Sequence, residues 1–313
     1  MLSSASQVSE GAIQTQQASV TVGICTFRRH SVLRTIESVA HQVLPLEVTV
    51  RILVIDNDVE PTASRPLETF CAREKIEVEY IHAPGPNISI ARNAALDLTQ
   101  TKWLAFLDDD ESAPSNWLAD LASERHQADA VFGPCQAVYP EGTPSWVRSG
   151  DYHSTRVQMR NGPINTGYAG NVLIDMDFVR RHGLRFDTAL GSGGEDTLFF
   201  HDMYRKGGIL KYASRATVFE PVEASRLTFQ WISGRKFRSG QHFAKMHDTF
   251  RGPTFRHVFL SAPFKIAACF AMSAATAFAP NRAMWWLMRG IFHSGVLGYL
   301  IRTRVLEPYG KHV

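Results

Sequence analysis

The segment 103–111 constrains the fold of this chain most, because five mostly apolar residues run directly into four acids. The apolar part does not alternate with polar residues, which is typical of a strand buried on both faces. Carboxylates gathered at the end of a buried strand repel one another unless a cation neutralises them. The segment therefore predicts a core strand whose carboxyl end forms a binding site.

The acids that follow this strand, Asp108, Asp109, Asp110 and Glu111, carry oxygen ligands of the kind that Mg²⁺ and Mn²⁺ prefer. These ions usually keep coordination positions for substrate phosphates, and ligands of open α/β sheets collect at the carboxyl ends of strands. We therefore predict a metal site that serves a phosphate-bearing substrate. The alternative is an acidic loop that caps a helix beginning near Pro114.

Strands and helices alternate along the first third of the chain, which predicts βαβ units. The expected fold class is α/β, with a mainly parallel sheet flanked by helices. The predicted strands are 20–25, 50–55, 76–81 and 103–108, and the predicted helices are 31–42, 66–74 and 89–98.

The rest of the chain divides into a less regular part and a helical part. We predict a helix over 115–127, an extended segment over 130–139, a loop-rich stretch over 140–167 and a strand over 169–176. A short helix near 177, a helix over 195–207 and a last strand over 212–219 follow, and from 228 the pattern becomes helical. This organisation predicts a disordered tail over 1–18, an α/β domain over 19–225 and a helical extension over 226–313.

A second acidic motif, Glu195-Asp196, follows the glycine-rich loop 191–194. Glycines allow a loop to approach a substrate closely, and the following helix places both carboxylates at its positive end. A carboxylate in that position can accept a proton from an attacking hydroxyl and act as a general base. The alternative is ordinary helix capping, since acids are common in a first turn.

Further polar residues lie where a nucleotide would bind. Asp56 and Asp58 follow the second strand and can hydrogen-bond a base or ribose, although a simple Asp-Asn-Asp turn is the competing explanation. Arg92 can pair with the acids or with a phosphate. Arg235 and Arg238 share one face of a helix and can neutralise a leaving diphosphate.

Charge is unevenly distributed, although the net charge of +3 gives no reason to expect a nucleic-acid partner. The segment 226–256 is rich in Arg, Lys and His, which favours an anionic partner such as a diphosphate or a lipid headgroup; the alternative is a solvated basic helix. The uncharged stretch 266–279 is shorter than the roughly 20 residues that span a bilayer. Tryptophans beside arginines in 283–301 predict an interfacial helix at a membrane surface, and an ordinary packed helix is the alternative.

Taken together, five motifs resemble the family-two nucleotide-sugar glycosyltransferases of the GT-A fold. They occur in family order and cover about 20–219, so that as a set they are highly specific. Within the family the chain is most similar to bacterial exopolysaccharide glucosyltransferases of the succinoglycan type. The motifs are VGICTFRR at 22–29, VIDN at 54–57, NISIARN at 87–93, FLDDDE at 106–111 and GGED at 193–196.

The resemblance implies a GT-A, Rossmann-like mixed sheet and inverting transfer of a sugar from a UDP-sugar. Asp108 would contact ribose or the metal, Asp110 would hold Mn²⁺ or Mg²⁺ on the diphosphate, and Asp56 would bind the uridine. Asp196 would be the base and Glu195 would orient the acceptor. The full set of implied nucleotide-sugar-binding residues is Thr26, Arg28, Asp56, Asp58, Arg92, Asp108, Asp109, Arg235 and Arg238.

Processive relatives carry a QxxRW motif after the base, whereas here the segment 230–235 reads QWISGR. We therefore expect transfer of a single sugar, glucose, to a lipid-diphosphate-linked oligosaccharide, by a cytoplasmic enzyme bound peripherally to the inner membrane. The alternative is a catalytically inert sugar-nucleotide-binding scaffold of a polysaccharide-synthesis complex. A haloacid-dehalogenase-like phosphatase and a sugar nucleotidylyltransferase match less well, because their own nucleophile or phosphate-loop motifs are incomplete here.

Overall fold

A computed structural model describes residues 20–44, 48–157, 162–190, 193–250 and 255–301 of the 313-residue chain. The predicted tail over 1–18 and the end of the extension lie outside these residues. The strands are β1 Val20–Thr26, β2 Val50–Asp56, β3 Glu79–His82, β4 Trp103–Leu107, β5 Ala130–Phe132, β6 Cys135–Val138, β7 Asn171–Asp175, β8 Leu210–Tyr212 and β9 Val218–Pro221. The helices are α1 Val32–Ala40, α2 Ser64–Glu74, α3 Ile88–Leu98, α4 Trp117–Ser123, α5 Ser145–Gly150, α6 Met176–His182, α7 Glu195–Arg205, α8 Phe229–Phe250, α9 Phe255–Ala275 and α10 Pro280–Leu300.

A seven-stranded sheet has the order β3-β2-β1-β4-β7-β5-β8. The first four of these strands pair in parallel, and β7 runs antiparallel to both β4 and β5. The sheet is buried on both faces, since Leu53 belongs to one apolar core and its neighbour Val54 to the other. The predicted mixed, mainly parallel α/β fold is therefore confirmed.

Two segments that we predicted as single extended stretches, 130–139 and 212–219, are each divided between two sheets. β5 and β8 pair in the large sheet, whereas β6 and β9 form a small parallel sheet beside it. The division falls at Gly133, where an added Cβ would lie 2.2 Å from the carbonyl oxygen of Ala216. Two backbones cross closely at this point, which only glycine permits, and Pro134 has no N–H to continue the ladder.

Smaller differences concern the ends of elements. The helix predicted over 115–127 is limited to α4, and the strand predicted over 76–81 begins later, as β3. The stretch predicted as loop-rich contains α5. These shifts are of the size expected where local patterns, without tertiary contacts, decide an element's end.

The extension packs as a layer of three long helices. α10 contacts α8 on one side and α9 on the other, and it also contacts α5 of the α/β part. Gly240 and Gly295 allow the close approach of α8 and α10, because a Cβ at either position would lie 2.0 Å from a carbonyl oxygen of the other helix. The C-terminal helices are thus tightly joined to one another and, through α8 and α10, to the rest of the protein.

By length and composition, one helix among the described residues is able to cross a membrane. It covers His257–Ala275, with a mean hydropathy of 1.6. The sequence interpretation counted only the uncharged stretch from 266 and found it too short. The helix that contains most of this stretch is longer than the stretch itself, because it begins at Phe255 and includes Lys265.

Candidate active site

Three neighbouring strands end side by side at the candidate site. β1 lies between β2 and β4, and Thr26 at the end of β1 is in register with Asp56 at the end of β2. Asp108 directly follows β4. Because these strands are parallel, their carboxyl ends meet at one edge of the sheet. The fold therefore brings together acids that are far apart in the sequence.

Asp56 and Asp58 are buried, and groups of the protein itself use their carboxylates. Asp56 accepts hydrogen bonds from the N–H groups of Asp58 and Ala63, at 3.1 and 2.9 Å, and from the Tyr80 hydroxyl at 2.9 Å. Asp58 accepts a hydrogen bond from Arg28 Nε at 2.8 Å, which lowers the pKa of Asp58. Both acids thus brace the loops around the end of β2.

The four acids after β4 differ in accessibility. The side chains of Asp108 and Asp110 are 47% and 20% exposed, whereas the side chain of Asp109 is 7% exposed and Glu111 is buried. Burial raises the pKa of Glu111 well above its ordinary value, and the charge of Asp108 adds to this shift. Asp108 and Asp110 are consequently the two acids of this run that can meet a ligand from solvent.

Arg29, in the loop after β1, contacts two of the four acids that follow β4. The sequence analysis did not assign Arg29 a role. Its Nη1 lies 2.9 Å from Asp109 Oδ1 and 2.6 Å from Asp110 Oδ2. Thr26 donates a hydrogen bond of 2.7 Å to the other oxygen of Asp109. Burial raises the pKa of Asp109 to about 7, and Arg29 opposes that shift. Asp109 is therefore placed as an internal support, while Asp110 offers its carboxylate to the surface.

The exposed acids Asp108 and Asp110 fit a divalent cation that a substrate helps to coordinate. Within the described residues, no group of three or more His, Cys, Asp or Glu side chains is arranged to hold a metal alone. Mg²⁺ is commonly bound by one or two carboxylates together with substrate phosphates, so two acids suffice. Gly170 leaves room at this point, because a Cβ there would lie 2.8 Å from Asp108 Oδ2.

Arg92 joins the two acidic motifs. Its Nη1 lies 2.8 Å from Glu195 Oε1, and its Nη2 lies 3.8 Å from Asp108 Oδ1. The sequence analysis left open whether Arg92 pairs with the acids or with a phosphate, and in the structure it pairs with acids. Glu195 Oε2 is buried and has no hydrogen-bond partner among the described residues. Burial raises the pKa of Glu195 to about 6, Asp196 adds to the shift, and Arg92 opposes it.

This raised pKa of Glu195 predicts an acid limb near pH 6 in the dependence of kcat/KM on pH, because a neutral Glu195 no longer pairs with Arg92. The folded pKa lies above the ordinary value of 4.5, so proton binding favours the folded state. The stability that the folded protein gains from a protonated Glu195 is therefore complete below pH 4.5 and is lost as the pH rises through 6. In Glu195→Gln, we expect the limb near pH 6 to disappear and stability to vary less over this range. An unchanged limb in the variant would contradict the assignment.

The start of α7 depends on two glycines and on a contact from α8. Gly193 and Gly194 have φ angles of +128° and +94°, which side chains disfavour. A Cβ on Gly193 would also lie 2.3 Å from Cε1 of His242 on α8. The turn places Asp196 in the first turn of α7, where its Oδ1 accepts a 2.6 Å hydrogen bond from the Thr197 N–H. The C-terminal extension therefore contributes to the surroundings of the second acidic motif.

Basic side chains from the extension reach the first acidic motif as well. Arg226 pairs with Glu220 at 2.9 Å and lies 3.9 Å from Asp110. The guanidinium groups of Arg226 and Arg235 both lie near the Trp231 ring, at 5.8 and 5.3 Å from its centroid. The basic segment had suggested this kind of contact, but nothing in the sequence distinguished Arg226 or Glu220.

Arg238 lies on the same helix as Arg235, and in the described part of the chain it forms no ion pair with an acid. Burial lowers the pKa of Arg235, which Glu220 opposes, and burial also lowers the pKa of Arg238. A partly buried guanidinium without a full set of anionic partners is suited to an anionic ligand. Both residues stay predicted ligands of the diphosphate.

A cleft of about 380 Å³ opens beside Asp110. Most of the charged side chains around it are cationic, so an anionic group fits it. Its lining includes Arg28, Arg29, His30, Arg34, Asp110 and Arg226.

Residues 21–183 match the sequence profile of glycosyl transferase family 2. The chain is also 37% identical over 297 residues to the succinoglycan biosynthesis protein ExoM of Rhizobium meliloti (strain 1021). That alignment covers 93% of this chain and 96% of the relative.

Solved structures with a similar fold are glycosyltransferases. The mannosyltransferase PcManGT from Pyrobaculum calidifontis, in complex with GDP-Man and Mn²⁺, has a TM-score of 0.63 at 14% identity, over 90% of this chain and 86% of that chain. S. aureus TarS 1-349 in complex with UDP-GlcNAc has a TM-score of 0.52 at 15% identity, over 94% and 99%. In a longer TarS structure the match spans 55% of that chain. These similarities confirm the GT-A fold that the motifs implied.

Proposed function

Since this chain belongs to glycosyl transferase family 2, we propose that it transfers a single sugar, glucose, from a UDP-sugar to a lipid-diphosphate-linked oligosaccharide with inversion of configuration. The reaction would be one step of bacterial exopolysaccharide synthesis. The succinoglycan biosynthesis relative supports the type of pathway, and the structural relatives with bound GDP-Man and UDP-GlcNAc support a nucleotide-sugar donor.

The observation that carries this proposal is the position of Arg92 between the two acidic motifs. Its guanidinium lies 2.8 Å from Glu195 and 3.8 Å from Asp108. A donor bound at Asp108 and Asp110 would therefore have its sugar close to the start of α7. Transfer requires this proximity, because the acceptor hydroxyl must reach the anomeric carbon while the diphosphate departs.

In the proposed reaction, Asp196 accepts the proton of the acceptor hydroxyl as that oxygen bonds to the anomeric carbon of the donor. The bond between the anomeric carbon and the diphosphate oxygen breaks in the same displacement, and its electron pair leaves with UDP. Glu195, held by Arg92, orients the acceptor. Arg226, Arg235 and Arg238 would stabilise the charge that develops on the leaving group.

Asp108 and Asp110 would hold Mn²⁺ or Mg²⁺ in this proposal. When bound, the ion supplies positive charge against the departing diphosphate. Arg29 already pairs with Asp110 at 2.6 Å, so the guanidinium neutralises this acid when the ion is absent. Its side chain is 42% exposed, and we infer that it turns toward the donor phosphates when the ion takes its place on Asp110.

Replacing Arg29 with Ala is expected to strengthen Mn²⁺ binding about 3- to 10-fold in the absence of nucleotide, because the competing cation on Asp110 is removed. The same variant should bind UDP less tightly. Calorimetric titration measures both affinities. Arg34→Ala is the matched control, since Arg34 lines the same cleft and has no ion pair in the described residues. Weaker Mn²⁺ binding in Arg29→Ala would contradict the competition.

The proposed location is the cytoplasmic face of the inner membrane, with peripheral attachment, because a lipid-linked acceptor is confined to that surface. The small net charge gives no reason to expect a nucleic-acid partner. Attachment through the helical extension is consistent with its composition, since residues 255–301 contain no Asp or Glu.

The proposal is tested by incubating the purified protein with Mn²⁺, labelled UDP-glucose and a bacterial lipid extract that contains lipid-linked oligosaccharides. We expect label in the lipid fraction, release of an equal amount of UDP, and a single added sugar with inverted anomeric configuration by NMR. Tight UDP binding without release of UDP would instead favour the inert scaffold, and a retained configuration would contradict direct displacement.

A further inference from the structure

The outer helix of the extension, α9, leaves most of its apolar surface uncovered. Only 11% of its most apolar 18-residue window is buried. Leu260 and Phe264 are 71% and 78% exposed, and Phe278, in the turn between α9 and α10, is 85% exposed. Isolated apolar residues are common on protein surfaces, but a continuous apolar helix face indicates a binding surface.

The buried positions of α9 form one narrow stripe. Ala262 and Cys269, seven residues apart, Phe259 one turn before Ala262, and Thr276 just beyond the helix are all at most 9% exposed. This spacing corresponds to two helical turns, so one side of α9 meets α10 and the remaining circumference faces outward. The outward side holds Leu260 and Phe264. The exposure is thus a property of a whole helix face and not of single residues.

The acidic and basic residues in the sequence of α9 and α10 all have one sign. Residues 255–301 contain no Asp or Glu, and their Lys and Arg residues are Arg256, Lys265, Arg282 and Arg289. Arg289, in the middle of α10, lies 4.9 Å from the centroid of the Trp285 ring. An exposed apolar helix in a segment that contains cations and tryptophans but no acids is complementary to a bilayer that carries anionic lipids.

The layered packing decides how such a bilayer would meet α9. α10 packs along both α9 and α8, which also contact each other, and Gly290 of α10 fits closely against the Phe270 ring of α9. If α9 crossed the membrane, α10 would enter the hydrocarbon with it, together with Arg289. Lys265 would also lie near the bilayer centre, where a charge is expensive. A helix lying in the plane of the membrane avoids both penalties.

We propose that α9 and the turn to α10 form a lipid-docking face that lies in the plane of an anionic phospholipid bilayer and inserts Leu260, Phe264 and Phe278. The proposal rests on the membrane location proposed above and assigns it to α9. It differs from the sequence expectation, which placed the interfacial helix at 283–301. In the structure, that segment packs against α5, α8 and α9.

The test is co-sedimentation of the full-length protein with sucrose-loaded vesicles of phosphatidylcholine alone and of phosphatidylcholine with phosphatidylglycerol. We expect the wild-type protein to bind the anionic vesicles more tightly, and the triple variant Leu260→Asp, Phe264→Asp, Phe278→Asp to lose at least tenfold in affinity. The matched control is Val43→Asp with Ile209→Asp, because these residues are 70% and 51% exposed on the α/β part. The control should sediment like the wild type.

Circular dichroism shows that each variant is folded, and metal-dependent UDP binding, measured on the same samples, separates the two proposals. Wild-type sedimentation by the triple variant would overturn the docking face. The docking face would also be overturned, in favour of self-association, if the wild-type protein formed a dimer that does not bind vesicles and the triple variant were monomeric. If the protein docks on vesicles through α9 but does not bind UDP, the docking face is supported and the proposed catalytic function fails.

Discussion

Asp196→Asn is expected to lower kcat by about 10² to 10⁴, because the amide cannot accept the proton of the acceptor hydroxyl. Donor binding should change little, since the pairing of Arg92 with Glu195 at 2.8 Å does not involve Asp196. Steady-state kinetics with labelled UDP-glucose measures the first effect, and calorimetry with UDP measures the second. The largest loss should therefore appear in kcat and not in UDP affinity.

The control for this variant is Asp202→Asn, which removes an acid from the same helix further from the glycine turn. We expect Asp202→Asn to retain nearly full activity. If Asp196→Asn kept more than about a tenth of the wild-type kcat, the proton would have another acceptor, and Glu195 would be the first residue to test.

Arg92→Met is expected to reduce the free energy of unfolding by about 3 kcal/mol at pH 8, because it leaves the buried Glu195 carboxylate without its partner. Arg92 and Glu195 have side chains that are each 8% exposed, so solvent replaces little of the lost interaction. At pH 5 the loss should be smaller, since Glu195, whose pKa is about 6, is then mostly protonated. Activity should fall with stability, because Glu195 and Asp108 both lose their shared cation.

Chemical denaturation at both pH values measures this effect. The matched control is Arg185→Met, which breaks an ion pair with Asp97 whose side chains are 49% and 57% exposed. An exposed pair contributes less than about 1 kcal/mol. The double variant Arg92→Met, Glu195→Gln should recover part of the loss. Equal losses at pH 5 and pH 8 would show that packing, and not the charge of Glu195, explains the effect.

The sequence was sufficient to predict the central sheet, because each core strand is a short apolar run with turn residues at both ends. It also located both acidic motifs, since Asp108 follows such a strand and Asp196 follows glycines that need positive φ angles. These features are local. Each can be recognised within about ten residues of chain, without knowledge of what packs against it.

The sequence could not assign contacts that depend on tertiary structure. Arg28 and Arg29 are neighbours in one loop, but they pair with different acids. Arg28, which has a left-handed backbone with a φ of +55°, pairs with Asp58. Arg29 pairs with Asp109 and Asp110. Arg92 resembles a surface residue of a helix and is buried because Glu195, 103 residues later, lies against it. No local pattern encodes either pairing.

The same limit explains two of the differences between the predicted and the observed fold. The change from the large to the small sheet at Gly133 depends on the backbone of Ala216, far away in the sequence. The helix α9 begins before the uncharged stretch that the sequence analysis measured, because it includes Lys265, which is exposed on the folded protein. In both cases, the decisive information is which residues meet in the folded chain.

The central claim, a nucleotide-sugar site completed by a metal on Asp108 and Asp110, is tested most directly by calorimetric titration of the purified protein with UDP, with Mn²⁺ and with a chelator. We expect UDP binding that requires Mn²⁺ and is lost in Asp110→Ala, while Glu124→Ala, which replaces an exposed acid at the end of α4, leaves UDP binding normal. UDP binding that is equally tight with chelator, or unchanged in Asp110→Ala, would contradict the account.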